Sequence, residues 1–177
     1  MAAHLAADRQ TGRLPVMCKP RYGTTEMLGP EERFDTVLYI DVLEHIEDDQ
    51  TEVARVAQHL TPGGHLVVLA PAHQALYTPF DAAIGHFRRY DMARLLTVGP
   101  DGMRVCRARY LDSVGLLAVL GNRLLLRSAQ PNRRQIGLWD RLMVRLSRGL
   151  DPLFGYRLGK SVLVVWRKRR PTDGFAG

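Results

Sequence analysis

Residues 34–46 of this chain read FDTVLYIDVLEHI, and this stretch decides the fold class. Residues 35–40 form a short run rich in branched and aromatic side chains, without polar alternation, which predicts a fully buried β-strand. Asp41 follows directly, so a carboxylate stands at the carboxyl end of that strand. Open α/β sheets bind their ligands at such strand ends.

A helix and a second strand follow at short spacing. Asp48 or Asp49 can cap the helix, and Glu52 stands three residues after Asp49, as in a capping box. Apolar residues then recur at helical spacing as far as Leu60, and the sequence PGG at 62–64 ends the helix. Residues 66–69 predict another buried strand, so this region predicts a parallel strand-helix-strand unit.

The rest of the chain has weaker patterns. They predict a short strand at 14–18, a loop at 71–90 that can cover a site, a short helix at 91–96, a strand at 103–111, helices at 113–127 and 133–148, and a last strand at 161–166.

Charge is distributed unevenly along the chain, whose net charge is +7. Residues 1–103 hold 9 Lys+Arg against 14 Asp+Glu, whereas residues 104–170 hold 16 against 3. A basic half favours phosphate, acidic lipid or nucleic acid as a partner, and the competing interpretation is a solvated arginine-rich surface.

Neither secretion nor a membrane span is indicated. The two cysteines, Cys18 and Cys106, are too far apart for a zinc pattern or a disulfide framework. The N-terminus lacks the apolar core of a signal peptide, and no apolar run approaches the length of a bilayer span. We expect a cytoplasmic protein with reduced thiols.

The acidic turn after the first strand carries the candidate chemistry. The Asp41 carboxylate can accept hydrogen bonds from a bound ammonium or hydroxyl, or act as a base. Glu44 and His45 stand close enough in sequence to share its face. From residue types alone, the alternative is that this turn only caps and solubilises the next helix.

Residues 34–46, followed by LTPGGHL at 60–66, resemble the FD…(D/E)VLEH(I/V)…L-x-PGG signature of class I S-adenosylmethionine-dependent methyltransferases. The resemblance spans about residues 34–71 and favours the branch that includes ubiquinone-biosynthesis O-methyltransferases. It implies an α/β fold with a Rossmann-like parallel sheet and an antiparallel last strand. Here the first two strands are expected to be missing, and a helical insertion at 112–160 precedes the last strand of a single partial domain, 1–177.

The same resemblance implies S-adenosylmethionine as the cofactor and assigns residues to it. Thr24, Asp41, Val42 and Leu43 are expected at the cofactor. Asp41, His45 and His86 are the candidate catalytic residues, with either histidine assisting deprotonation of the acceptor.

Substrate recognition is expected in the loop after the second strand, as in the family. The candidates are His73, Tyr77, Arg88, Arg89 and Tyr90. The two arginines would suit an anionic or phosphorylated group. The alternative is a purely structural loop anchored by its aromatic residues.

A divalent metal is a further possibility that the resemblance raises. Some relatives hold a cation with a Glu-x-x-Glu-His group and a later histidine. Here Asp41, Glu44 and His45 match that spacing, and His86 or His73 would supply the fourth ligand. Such residues at a helix start also occur without any metal.

The glycine-rich cofactor loop of the family is not found, because no two of the 16 glycines are separated by a single residue. We therefore expect either a fragment or a remnant of a methyltransferase, with weak or absent cofactor binding. The alternative function is a non-catalytic module that docks on a partner or membrane through its basic half.

The basic half holds one amphipathic helix pattern. Arg141, Arg145 and Arg148 share one face, and the opposite face carries Trp139, Leu142, Met143 and Leu146. This pattern suggests contact with an anionic membrane and a lipid-like acceptor, whereas the alternative is ordinary core packing. Nucleic acid is disfavoured, because aromatic residues are not interleaved with the basic ones.

Overall fold

The computed structural model describes residues 15, 17–19, 21–125 and 133–171, with side chains except at 122–125 and 133–141. The chain divides into two compact units, residues 1–32 and 33–177. In the first unit a single 3₁₀ turn spans Thr25–Met27, and Arg21 pairs with Glu32. The predicted strand at 14–18 lies partly outside the described residues. In its described part the amide of Cys18 donates to the carbonyl oxygen of Pro15 at 2.9 Å, which closes a turn.

The second unit is built on one sheet of four strands within the described residues. They are β1 (Phe34–Ile40), β2 (Leu60–Pro71), β3 (Met103–Leu111) and β4 (Ser161–Lys168). Their order is β1-β2-β4-β3, with β1 parallel to β2 and β4 antiparallel to both of its neighbours. The α/β class and the antiparallel last strand are confirmed.

Five α-helices accompany this sheet in the described residues. They are α1 (Asp49–Gln58), α2 (Pro79–Ala83), α3 (Met92–Val98), α4 (Ser113–Leu125) and α5 (Arg133–Leu153). Single 3₁₀ turns span Leu43–His45 and Gln74–Leu76. The last two helices lie between β3 and β4, where the insertion was expected, and α5 runs five residues further than predicted.

The start of α1 differs from the predicted capping box. Asp48 is the cap, and its Oδ1 accepts a hydrogen bond from the amide of Thr51 at 3.1 Å. Asp49 is buried and faces the core, while Glu52 accepts a hydrogen bond from the hydroxyl of Tyr39. Of the two carboxylates that the pattern assigned to the cap, Glu52 therefore ties the helix to β1, and Asp49 ties it to Tyr90 and to Arg94 of α3.

The PGG segment belongs to β2, which begins at Leu60. Gly63 has a φ of 85°, a conformation that favours glycine. A Cβ atom on Gly64 would lie 2.9 Å from the carbonyl oxygen of Thr61 and 3.1 Å from that of Asp35. Glycine thus lets the start of β2 lie against β1.

The core lies on one face of the sheet. Alternate residues of β2 and β4 point to this face and are almost fully buried: Leu66, Val68, Ala70, Val162, Val164 and Trp166. Helices α1 and α3 cover them with Val53, Val56, Leu95 and Val98.

The opposite face of the sheet is open. Leu38 and Ile40 of β1 are 58% and 51% exposed, so the prediction of a fully buried strand is wrong. They pair with Val67 and Leu69 of β2, which are only partly buried. The reason is that β1 is the edge strand of the described sheet and has apolar cover on one face alone.

Candidate active site

The first strand ends in a sharp turn at Asp41. The amide of Asp41 donates to the carbonyl oxygen of Leu69 at 2.9 Å, and this bond carries the parallel pairing one step beyond β1. Asp41 has a φ of 51°, which aspartate tolerates better than most residues. The turn leads directly into the 3₁₀ turn Leu43–His45 and places Glu44 and His45 at the carboxyl edge of the sheet.

Glu44, His45 and His86 form a cluster at this edge. One donor atom of each lies within 4.8 Å of the others. The rings of His45 and His86 meet edge to face with centroids 4.6 Å apart, and Nε2 of His86 lies 3.8 Å from Oε1 of Glu44. The backbone fixes the cluster, because the amide of Phe87 donates to the carbonyl oxygen of Glu44 at 2.8 Å.

Glu44 is an unusual member of this cluster. The residue is fully buried, and neither carboxylate oxygen has a hydrogen-bond partner among the described residues. Burial raises the pKa of the Glu44 carboxyl above its ordinary value, and the negative charge of Asp41 adds to the rise. Buried polar atoms nearly always have a hydrogen-bond partner. The Glu44 carboxyl is therefore a candidate to carry a proton or to bind a ligand or a cation.

Asp81 holds the other side of His86. Its Oδ1 lies 3.2 Å from Nδ1 of His86, and its carboxylate accepts two hydrogen bonds of 3.0 Å from the guanidinium of Arg89. The amide and hydroxyl of Thr78 also donate to it, at 2.8 and 2.7 Å. Burial opposes ionisation of Asp81, but the bonds from Thr78 and Arg89 outweigh it and hold its pKa below the ordinary value.

Sequence reasoning missed Asp81, although the chain carries a signal for it. Thr78 and Asp81 form a capping box at α2, the Thr-x-x-Asp pattern that starts many helices. Asp112 was also missed, and it ends β3 as Asp41 ends β1, with a φ of 65°. Asp112 directly follows the strand predicted at 103–111, so the sequence indicates it by the same pattern as Asp41.

A cavity of about 630 Å³ opens beside this network at the carboxyl ends of β1, β2 and β3. Asp41, Asp81, His86 and Arg89 contribute polar groups to it. Its apolar lining comes from both sides of the opening: Leu69, Phe80, Ile84, Leu111 and Val144. The volume lies in the range of small-molecule sites, about 300–1,000 Å³.

Helices α4 and α5 close one side of the cavity through Asp112. Its carboxylate accepts hydrogen bonds from the hydroxyl of Ser147 at 2.8 Å and the amide of Gly115 at 2.9 Å, and it pairs with Lys160 at 3.1 Å. Ser147 and Lys160 also line the cavity. The predicted insertion thus supplies part of its wall.

Two of the predicted substrate residues, Arg88 and Tyr90, lie outside the cavity lining. Tyr90 is fully buried, and its hydroxyl donates to Oδ2 of Asp49 at 2.9 Å. Arg88 lies 2.8 Å from the same oxygen and also donates to the carbonyl oxygens of Ile46 and Glu47. Both side chains anchor the loop to α1, and neither lines the cavity.

His73 and Tyr77 also have structural partners. A ring nitrogen of His73 lies 3.0 Å from the carbonyl oxygen of Gly159, and the ring stacks on Tyr110. The hydroxyl of Tyr77 donates to the carbonyl oxygen of His86 at 2.6 Å. Of the five residues predicted for substrate, the structure brings only Arg89 to the cavity lining.

The predicted cofactor residues differ in their surroundings. Asp41 and Val42 are exposed at the strand end, whereas the side chain of Leu43 is fully buried in the core. Any part that Leu43 takes in binding a ligand therefore falls to its backbone. Thr24 lies in the first unit, where it precedes the turn Thr25–Met27.

Comparison with known proteins tests the resemblance. Residues 2–68 match the family model described as "Methyltransferase domain". The ubiquinone biosynthesis O-methyltransferase of Rhodopseudomonas palustris (strain BisB18) is 39% identical over 67 residues, which are 38% of this chain and 25% of that protein. The namesake from Bradyrhizobium sp. (strain ORS 278) matches to the same extent.

Residues 2–68 are similar to the methyltransferase domain of these proteins. The resemblance drawn from residues 34–71 is thereby confirmed, and it extends further towards the N-terminus than expected. The match covers only about a quarter of the length of these curated methyltransferases.

Solved structures confirm the methyltransferase fold over most of the chain. The N-methyltransferase NodS from Bradyrhizobium japonicum WM9, in complex with S-adenosyl-L-homocysteine, aligns with a TM-score of 0.50 at 15% identity, covering 94% of this chain and 61% of NodS. The [4+2]-cyclase SpnF aligns with a TM-score of 0.55 at 16% identity, covering 96% and 62%. Since a cyclase shares this fold, the reaction must be argued from the site.

Proposed function

We propose that this chain takes part in S-adenosylmethionine-dependent methyl transfer to a hydroxyl group of a small acceptor bound in the 630 Å³ cavity. The observation that carries the proposal is the position of His86. It lines the cavity, with Asp81 at one ring nitrogen and buried Glu44 near the other. An imidazole between two carboxyl groups is suited to accept a proton.

The placement of Asp81 supports Nε2 as the nitrogen of His86 that would act. A carboxylate 3.2 Å from Nδ1 favours the tautomer with the proton on Nδ1, which leaves the lone pair on Nε2. Nε2 would take the hydroxyl proton of the acceptor, and Asp81 and Glu44 would stabilise the imidazolium that forms. His45, edge to face with His86, is the alternative base.

The cofactor would supply an electrophilic methyl group, and this chain would orient it at the end of β1. Asp41 and Val42 are exposed there, and Asp41 lines the cavity. Its carboxylate can attract the positive charge of a sulfonium donor or of the amino group beside it. Alignment of donor and acceptor is then the main contribution of the protein.

The cavity lining supports a particular kind of acceptor. Phe80, Ile84 and Leu111 offer an apolar surface beside the polar groups of His86 and Arg89. Such a surface suits a flat apolar molecule with an ionisable hydroxyl, such as a phenol. A lipid-like acceptor would likewise place a hydroxyl beside the polar groups of His86 and Arg89.

The test combines binding and turnover. Calorimetry with S-adenosylhomocysteine measures cofactor affinity, and transfer of a labelled methyl group to a panel of phenols measures activity. H86A is expected to lose at least a hundredfold in turnover, the typical contribution of a general base, without weakening cofactor binding. H59A is the matched control, because His59 does not line the cavity.

Absence of both cofactor binding and turnover in the unchanged chain would instead favour the alternative, a non-catalytic binding module. Equal loss of turnover in H86A and H59A would remove His86 from its proposed role.

A divalent cation is a second candidate ligand of this site. Glu44, His45 and His86 offer one carboxylate and two imidazoles within 4.8 Å, and the unsatisfied burial of Glu44 fits a cation. Asp41 and His73, which the sequence also suggested, are not among these three residues. A bound cation would lower the pKa of an acceptor hydroxyl that reached it.

Titration with Co²⁺ or Zn²⁺, followed by absorption or calorimetry, tests the cation. Binding that is lost in E44Q and H45A but kept in E47Q supports it, since Glu47 is exposed and outside the cluster. Binding that is indifferent to these changes would exclude this cluster.

We also propose that α5 contacts anionic membranes and that these membranes hold a lipid-like acceptor. Leu142 and Leu146 stand one turn apart in α5 and are 58% and 49% exposed, and Arg145 and Arg148 are exposed beside them. Trp139 and Arg141, which the amphipathic prediction also used, lie outside the described side chains. No described helix has the length and apolar character required to cross a bilayer.

Flotation with anionic vesicles at low salt tests this contact. Loss of flotation in the double variant L142S/L146S is the expected result, and absence of flotation in the unchanged chain would remove the idea.

A further inference from the structure

A second cavity, of about 380 Å³, lies on the open face of the sheet. It borders the first cavity, because three residues line both of them: Leu111, Arg148 and Asp151. The rest of its lining is Arg107, Arg109, Tyr156 and Leu163. Three of the seven lining residues are therefore arginines.

The fold brings these arginines together. Arg107 and Arg109 are two residues apart in β3, so they point to the same face of the strand, and they pair with Val165 and Leu163 of β4. Arg148 reaches the same cavity from α5. Two elements far apart in sequence thus present guanidinium groups to one space.

The lining holds too few acidic groups to neutralise the three arginines. Asp151 is the one acidic residue of the lining, and its two oxygens accept hydrogen bonds from the amides of Asp112 and Ser113, each at 2.9 Å. Within the described residues, Arg107 and Arg148 form no ion pair with a carboxylate. The guanidinium of Arg109 lies over the ring of Tyr156 at 4.1 Å, which holds it in place without neutralising it.

We propose that this arginine pocket (Arg107, Arg109 and Arg148) binds a phosphate group. Guanidinium groups match phosphate oxygens with paired hydrogen bonds, and several of them around one cavity favour a group with more than one negative charge. Because the two cavities adjoin, the phosphate belongs to the acceptor whose hydroxyl lies beside His86. This assignment rests on the proposed methyl transfer, whereas phosphate binding itself does not.

Direct binding tests the pocket without any cofactor. Calorimetry with phenyl phosphate, with phenol as its uncharged counterpart, tests a soluble phosphate, and flotation with vesicles containing phosphatidic acid tests a lipid phosphate. R107Q and R148Q are each expected to weaken binding about tenfold or more, the usual effect of losing hydrogen bonds to a charged group. The fold should survive, because both side chains are exposed and pair with no carboxylate of the described residues.

R104Q is the matched control, since Arg104 is exposed in the same strand as Arg107 and lines neither cavity. Binding of either probe that falls in R107Q and R148Q but not in R104Q supports the pocket, and the probe that binds identifies the source of the phosphate. No binding of either probe, or equal weakening in R104Q, overturns it. Failure of methyl transfer with intact, pocket-dependent phosphate binding would reject the proposed function alone.

Discussion

The carboxylate of Asp81 and the imidazole of His86 lie 3.2 Å apart, between Oδ1 and Nδ1. The same carboxylate pairs with Arg89 and closes the capping box with Thr78. One buried side chain therefore links the start of α2, the end of the loop and the candidate base.

The variant D81N should lose stability as well as activity. Replacement by an amide leaves the partly buried guanidinium of Arg89 without its counter-charge, and breaking a buried pair costs up to about 3–5 kcal/mol. Urea unfolding followed by circular dichroism measures this change. D91N is the control, because the side chain of Asp91 is 54% exposed, and equal stability of the two variants would contradict the assigned role of Asp81.

The variant Y90F should destabilise the fold by about 1–3 kcal/mol, because the hydroxyl of Tyr90 donates to the buried carboxylate of Asp49. Burial raises the pKa of Tyr90 above its ordinary value, and the bond to Asp49 adds to the rise. Y22F is the control, since Tyr22 is 75% exposed. Thermal unfolding should show a lower Tm for Y90F only, and an unchanged Tm would place the loop anchor elsewhere.

The variant D112N should remove a pH-dependent part of the stability. Burial opposes ionisation of Asp112, but Ser147 and Lys160 outweigh it and hold its pKa below the ordinary value. A lowered folded pKa contributes stability above the unfolded pKa, about 3.9, and this contribution is lost as the pH falls through the folded pKa.

Asparagine also tolerates the left-handed backbone at position 112, so D112N isolates the charge. Unfolding by urea should show D112N less stable than the unchanged chain by about 1–2 kcal/mol near neutral pH, with a gap that narrows below about pH 4. A gap that is constant with pH would show that the carboxylate charge contributes nothing.

The double variant L38K/I40K should reduce self-association. These side chains are half exposed on the edge strand β1, and exposed apolar edge strands pair with other chains. Sedimentation velocity over a range of concentrations should show association for the unchanged chain and less for the variant, with stability changed by no more than about 0.5 kcal/mol. V68K, on the buried face of β2, should unfold the protein. Equal self-association of the unchanged chain and of L38K/I40K would contradict this role of β1.

The elements of the sheet were predictable because their signals are local. Residues 103–111 form β3 as expected, and Asp41 stands at the end of β1 beside the cavity. Burial was less predictable, because the exposure of Leu38 depends on what covers the sheet, and no local pattern contains that information.

The loop shows the same limit at the level of single residues. Arg88 and Tyr90 are two positions apart and both contact Asp49, whereas Arg89 between them pairs with Asp81. In an extended segment neighbours point to opposite sides, so a run of candidate residues divides between structure and site. Which side faces the cavity depends on Asp49 and Asp81, which are remote in sequence from one another.

The sharing of Asp81 among three partners has an evolutionary consequence. Selection on the proposed role of His86 cannot act at position 81 without also acting on folding, so substitutions there should be tolerated only together with changes at positions 78, 86 or 89. A library randomised at these four positions should therefore yield functional members as correlated sets, with few viable single-step paths between them.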